Sequence, residues 1–216
     1  MNAAIAPHDT KTRILDAAER IFSQDGFDAA SLRTITAAAQ VNLAAVNYHF
    51  QTKEALFSAA IERRVQPINR HRIEMLDGLT GKPTVEKILR AFLAPVLEAN
   101  TGEPAISRQL MARLHGVPRE LHTRILEENF APLMRRFVDA LTAALPGASP
   151  KDVQWRLFFL IGSMVQTMAW GTIMSKFIDG EPDVDGDLTA RLVSFGAAGI
   201  KASAAKSQST KRANHQ

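Results

Sequence analysis

The sequence predicts an all-α protein, with a module of short helices at the N-terminus and a body of longer helices behind it. Apolar residues recur at helical spacing along most of the 216 residues, and no run alternates with the period of two that a half-buried strand needs. Glycine, proline and asparagine cut that pattern into segments of helix length. Hydrophobic residues make up 46% and charged residues 22%, the balance of an ordinary globular chain that folds around its own core. With no cysteine, neither a disulfide nor a thiolate metal site contributes.

Asp9 suits the N-cap of a first helix carrying ILDAAERIFSQD, with Ile14, Leu15, Ala18, Ile21 and Phe22 on one face and Gly26 as its stop. Ser31 opens a second, short helix over LRTITAAA. Gln40-Val41-Asn42 interrupts the periodicity, and Asn42 caps a third short helix, LAAVNYHF. A fourth starts near Thr52 and carries the chain to Leu79, with a kink expected at Pro67. Five longer helices follow at about 83–99, 104–115, 118–145, 150–178 and 187–203. Gly102/Pro104, Gly116/Pro118, the turn from Leu145 to Pro150 and the acidic loop from Asp179 to Gly186 separate them. The end, KASAAKSQSTKRANHQ, is polar and rich in small residues, and disorder is expected from about 205. The expected domains are 1–56, 57–204 and a basic tail over 205–216.

Lys and Arg number 26 against 22 Asp and Glu, a net charge of +4. That excess equals the charge of residues 201–216, where Lys201, Lys206, Lys211 and Arg212 stand without an acidic residue. The whole-chain charge is therefore a poor witness for an anionic partner. Residues 31–53 differ, because Arg33 and Lys53 have no acidic residue among them and make the stretch locally positive. The N-terminus has neither the positive nor the apolar region of a secretory signal. The most apolar stretch, from Leu157 to Trp170, spans 14 residues and is too short to cross a bilayer. A cytoplasmic protein with no membrane partner is expected.

Residues 31–50, SLRTITAAAQVNLAAVNYHF, place two short helices about three residues apart, the spacing of a helix-turn-helix. Leu32, Ile35, Ala38, Ala39, Val41, Val46 and Phe50 are expected to face inward. Asn42, Leu43, Ala44, Ala45, Asn47, Tyr48 and His49 are left on or near the outer surface of the second of these helices. Such a helix fits a major groove, where amides read base edges and small apolar groups meet thymine methyls. Tyr48, His49, Thr52 and Lys53 at the far end suit phosphate contacts, Ser31 opens the preceding helix as a further DNA-binding candidate, and Arg33 there either touches the backbone or is simply solvated. Lys53 opens a helix, a poor place for a cation unless an anion lies nearby.

The continuous pattern ILDAAERIFSQDGFDAASLRTITAAAQVNLAAVNYHFQTKEALF resembles the DNA-binding module of TetR-type transcriptional regulators. The Ala-Ala-x-x-x-Phe helix, Gly26-Phe27, Ser31, Tyr48-His49-Phe50 and Lys53-Glu54-x-Leu56 carry the likeness. It implies a three-helix helix-turn-helix module joined to a C-terminal helical ligand-binding and dimerisation body. Two positions depart from the family, which usually has glycine where Gln40 and Gln51 stand. A positive φ at Gln40 would cost on the order of 1 kcal/mol. In VNLAAVNYHF, DVQWRLFFLIGSM and FGAAGIKA the chain is also similar to the fatty-acid-responsive PsrA type. That likeness implies repressors, some also activators, released from DNA by long-chain acyl ligands.

Phe92, Met111, Met134, Phe137, Met164 and Met168 fit an adaptable apolar pocket, although ordinary core residues would show the same spacing. Arg108 and Arg113 are candidates to meet an acidic head group, or are simply solvated. Phe158, Gly162, Trp170, Leu192, Phe195, Gly196 and Gly199, with Trp155 beside them, form a candidate subunit interface. No enzyme, cofactor or metal is expected. The six histidines keep no metal-ligand spacing, and GxGxxG, P-loop and GxSxG motifs are missing.

The residues together predict a homodimeric, ligand-responsive repressor. It would bind a near-palindromic double-stranded operator and be released by a small hydrophobic effector such as an acyl compound. Two other readings stay open at this point. One is a helical small-molecule binder with weak or lost DNA affinity, to which Gln40 and Gln51 point; the other is a helical enzyme with an unrecognised site.

Overall fold

A computed structural model describes residues 7–98, 104–174 and 188–213. Every regular element among them is helical: α1 (Pro7–Ala29), α2 (Leu32–Ala39), α3 (Leu43–Phe50), α4 (Lys53–Asp77), α5 (Val85–Leu97), α6 (Pro104–Ala112), a 3₁₀ turn (Arg113–Gly116), α7 (Arg119–Ala144), α8 (Pro150–Met174) and α9 (Leu188–Ala213). Pro7, Pro104 and Pro150 each occupy the first helical position, where their fixed φ helps and their missing N–H costs nothing. Asp9, expected as the cap of α1, therefore sits inside its first turn. α4 continues as helix through Pro67. The acidic loop at 179–186 lies outside the described residues.

The described chain forms two compact units, with boundaries inside α4 and α7 rather than at the expected 56/57. The first unit holds residues up to Pro67 together with Thr101–Phe130. Its core joins Ile14, Ala18 and Phe22 of α1 to Leu56, Phe57, Ala60 and Ile61 of α4, and to Leu110, Leu121 and Ile125. Two of the three helices before α4 have only eight residues, and the first half of α4 completes their core. Gly26, with φ 82° and ψ 176°, breaks α1 before its last turn. That break brings Phe27 to 5.3 Å from Phe57, which also meets Phe22 edge-on at 5.0 Å.

Glu19 is fully buried in this unit and carries two arginines of α4. Arg63 Nε donates to its Oε1 at 2.5 Å and Arg64 Nε to its Oε2 at 2.7 Å, while Arg63 Nη2 reaches Asp16 at 2.6 Å. The two carboxylates, Glu19 foremost, hold the Arg63 guanidinium above its ordinary pKa.

The second unit holds Ile68–Asn100 and Ala131–Gln216. α5 buries Val85, Ile88, Leu89 and the run 91–95, and α9 lays Leu192, Val193, Gly196, Ala197 and Ile200 against it and α8. A Cβ on Gly196 would come within 2.8 Å of Leu160 and 3.2 Å of Leu89, so this glycine permits the close approach of three helices. Arg156 donates to the Gly199 carbonyl at 2.7 Å, and Lys201 pairs with Glu86, holding that carboxyl below the usual range. α9 runs on to Ala213, past the point where a disordered tail was expected. Alanine, lysine and glutamine in that stretch are good helix formers.

Glu19→Gln should lower unfolding stability by about 2–4 kcal/mol, at the modest end for a broken buried ion pair because both arginines reach solvent. Denaturant midpoints measure this, and an unchanged midpoint would mean the clamp contributes nothing.

Candidate nucleic-acid interface

Each short helix of the module owes its ends to specific groups. Ser31 caps α2, its Oγ accepting from the Thr34 N–H at 3.0 Å. At the other end Gln40 takes the left-handed conformation, φ 54° and ψ 46°. Its N–H bonds the Ala37 carbonyl and that of Val41 bonds Thr36, the paired pattern of a Schellman motif. Arg13 of α1 locks this turn by donating to the carbonyls of Ala39 and Gln40 at 2.6 and 3.0 Å. Asn42 then caps α3 through Oδ1, which accepts from the Ala45 N–H at 2.9 Å.

α3 ends in a second strained residue. Gln51 has φ 65° and ψ −51°, and the Thr52 N–H bonds the Phe50 carbonyl at 2.7 Å across it. This is the rarer, positive-φ form of the γ-turn. Thr52 caps α4, its Oγ1 accepting from the Ala55 N–H at 3.1 Å. Both glutamines thus adopt backbone that favours glycine, and each is exposed.

Between these ends α3 buries Val46 and Phe50 and turns Leu43, Ala44, Asn47 and Tyr48 outward. Tyr48 is 83% exposed and Leu43 50%, a degree of exposure that packing alone does not explain. His49 is half-buried, edge-on to Tyr48 with ring centroids 5.0 Å apart. Ala45, expected outside, is half-buried and packs on the core, because it lies one turn before His49 at the flank of the helix. Ala38, expected inside, is exposed, and Ile35, Thr36 and Ala39 fill the buried side of α2 instead. Ser31, Arg33, Asn42 and Thr52 are exposed around this face.

Lys53 is placed partly by the chain itself. Its Nζ donates to the Asp28 carbonyl at 3.3 Å and lies 4.5 Å from the Phe27 ring centroid. A carbonyl and a ring face thus offset its position at a helix N-terminus, and the charge stays beside α3. Sequence reasoning missed Arg13; an arginine in the middle of a charged helix gives no signal that its side chain spans 26 residues to a turn.

The other candidates separate. Phe92 and Phe137 are buried in the second unit with centroids 5.0 Å apart; Met164 is buried there and Met134 and Met168 are partly so. Met111 instead packs on the core of the first unit. The side chain of Arg108 lies outside the described residues. Arg113 donates to the carbonyls of Ser23 and Gln24 at 3.2 and 2.5 Å, closing the end of α1 rather than meeting a ligand. Of the interface candidates, Leu192 and Gly196 are buried within their own unit against α5 and α8, which corrects that expectation. Phe158, Gly162, Phe195 and Gly199 are exposed, and the Trp170 side chain lies outside the described residues. Trp155, Phe158 and Phe159 form an exposed aromatic cluster on α8, each pair 5.9–6.3 Å apart.

Residues 14–60 match the family described as bacterial regulatory proteins of the tetR family, and residues 90–199 match a tetracyclin repressor-like C-terminal domain. The chain is 37% identical over 95 residues to the HTH-type transcriptional regulator AcrR of Shigella flexneri, 44% of this chain and 43% of that one. It is 38% identical over 74 residues to the nicotine-responsive transcriptional repressor HdnoR of Paenarthrobacter nicotinovorans, 34% of this chain and 38% of that one. These matches span less than half the length of the curated relatives. Among solved structures, NalD of Pseudomonas aeruginosa, described as the secondary repressor of the MexAB-OprM efflux pump, shares the fold with a TM-score of 0.65. That pair is 24% identical over 90% of this chain and 98% of that one. A putative transcriptional regulator of Pseudomonas aeruginosa PAO1 gives a TM-score of 0.70 at 18% identity, covering 94% and 93%. Among the described residues no helix is long and apolar enough to cross a membrane.

Replacing either strained residue, by Gln40→Gly or Gln51→Gly, should raise stability by about 0.5–1 kcal/mol. Urea midpoints measure the gain; a loss at both sites would mean that the glutamine side chains hold the turns in ways their backbones do not reveal.

Proposed function

This chain belongs to the tetR family of bacterial regulatory proteins, and we propose that it is a homodimeric, ligand-responsive repressor of transcription. α3 enters the major groove of a near-palindromic operator, with Asn47, Leu43 and Ala44 toward the bases. Ser31, Arg33, Asn42, Tyr48, His49, Thr52 and Lys53 serve the phosphates, with Ala45 at the edge of the contact. The observation that carries this reading is the outward face of α3, exposed and capped at both ends in a stretch without acidic residues. Its relatives are regulators by name, and the enzyme reading falls away with the family. The location that goes with this work is the cytoplasm.

Two half-sites need a two-fold protein. Trp155, Phe158 and Phe159 on α8 and Phe195 on α9, each more than half exposed, supply an apolar face for the second copy, with Gly162 and Gly199 allowing close approach. The effector is a small hydrophobic molecule such as an acyl compound, held in the second unit near Phe92, Met134, Phe137, Met164 and Met168. It releases DNA only if it binds more tightly to the spacing of recognition helices that does not fit the operator. α4, which runs across the boundary between the units, is the element through which that change would pass.

Selection of binding sites from random duplexes tests this, and it should return a near-palindrome with half-sites one helical turn or a multiple apart. On that duplex Asn47→Ala should relax base preference at one position per half-site. Lys53→Ala should weaken binding to all sequences and reduce the salt slope by about one unit. Phe158→Asp should sediment as a monomer and lose the palindrome. Recovery of no preferred sequence at low salt would favour a ligand-binding protein without DNA affinity.

A further inference from the structure

Arg72 of α4 is 4% exposed in the second unit, and no carboxylate pairs with it among the described residues. Nε donates to the Phe92 carbonyl at 2.8 Å and Nη1 to Asn69 Oδ1 at 3.1 Å. The guanidinium carbon lies 4.4 Å from the centroid of the Phe92 ring. Neither of these bonds uses Nη2. Burial pushes the group down to about 10, so it keeps its charge at neutral pH.

The acids of α4, of α5 and at the end of α5 in this unit are committed elsewhere. Glu74 faces His71, Asp77 pairs with Arg136, Glu86 with Lys201 and Glu98 with Arg90. Each of these pairs is exposed, while the one deeply buried cation among the described residues of the unit is left with neutral partners. That is the reverse of the usual distribution, because a buried charge without a counter-charge is costly and an exposed one is not. A methionine or leucine would hold α4 against Phe92 without that cost.

We propose that Arg72 receives the carboxylate of the effector, which makes that effector a hydrophobic carboxylic acid and not an ester, thioester or alcohol of the same chain. The inference rests on the reading of the second unit as the site of a small hydrophobic effector. The chemistry fits on three counts. A guanidinium fork takes a carboxylate through two parallel bonds, and Arg72 has donors to spare. The Phe92 ring beneath it, packed edge-on against Phe137 at 5.0 Å, makes the surroundings of the charge apolar. An incoming anion would neutralise a charge that is already desolvated, so binding gains more than it would at an exposed arginine. Arg113, which the sequence offered for this role, does not compete, being bound to backbone carbonyls in the first unit.

Calorimetric titration of the full chain with dodecanoate and with dodecanol, each below its aggregation limit, tests the assignment. Dodecanoate should bind at least about tenfold more tightly than dodecanol, the ratio expected of a hydrogen bond to a charged group. Arg72→Gln should bring dodecanoate down to the affinity of dodecanol and leave dodecanol unchanged, and Arg72→Lys should keep part of the preference. Equal affinity of the two probes for the unaltered chain overturns the role of Arg72 and leaves the hydrophobic effector standing. A folded Arg72→Gln chain that retains the full preference does the same. Binding of neither probe overturns the effector reading itself, and the inference with it. Should Arg72→Gln fail to fold, the comparison of probes on the unaltered chain and on Arg72→Lys decides.

Discussion

The buried carboxylate of Glu19 holds the first unit together in the sense that matters for its outer face. Two arginines of α4 close on it from neighbouring positions of one helix, and they fix both the register and the rotation of α4 against α1. An apolar contact alone slides at little cost; a carboxylate that must satisfy Arg63 and Arg64 together does not. Around it Phe22, Phe27 and Phe57 meet edge-on or stacked, and Gly26 provides the break in α1 that brings Phe27 into the group. α2 and α3 then have a rigid frame to settle on.

That frame explains how an eight-residue helix such as α3 persists, since a helix so short is unstable by itself in water. Val46 and Phe50 anchor it from below, Asn42 closes its first turn, and the turns at Gln40 and Gln51 set its ends. Arg13 extends the influence of α1 to the turn before α3 through two carbonyls. The outward residues contribute little to packing and are free to serve another molecule. A rigid scaffold carrying a small exposed reading surface is the arrangement that sequence-specific contact demands, because misplacement by an ångström forfeits paired hydrogen bonds to a base.

Local rules were enough to read the helices. Glycine and proline marked most ends, Ser31 and Asn42 cap as their side chains suggest, and Gln40 takes the positive φ suspected of it. What escaped depends on which distant segment a side chain meets. The 3.6-residue period tells that Leu192 and Gly196 face something apolar, and equally well describes a partner copy or α5 and α8. Nothing local distinguishes Met111, which packs on the core of the first unit, from Met164, which is buried in the second. The unit boundary near Pro67 escaped because α4 is one helix serving two cores. Arg72 sits in the charged run Asn69-Arg70-His71-Arg72, where only tertiary structure separates the buried cation from its exposed neighbours.

The central claim is that α3, and not the basic end of α9, lies against DNA. The chain has no cysteine, so a single introduced thiol carries a DNA-cleaving iron chelate to a known place. With the reagent on Asn47→Cys, the account predicts cuts at two symmetry-related positions of the bound duplex, spaced by about one helical turn or a multiple of it. On Ala202→Cys, at an exposed position of α9, it predicts none. Cleavage from Ala202→Cys with none from Asn47→Cys would contradict it.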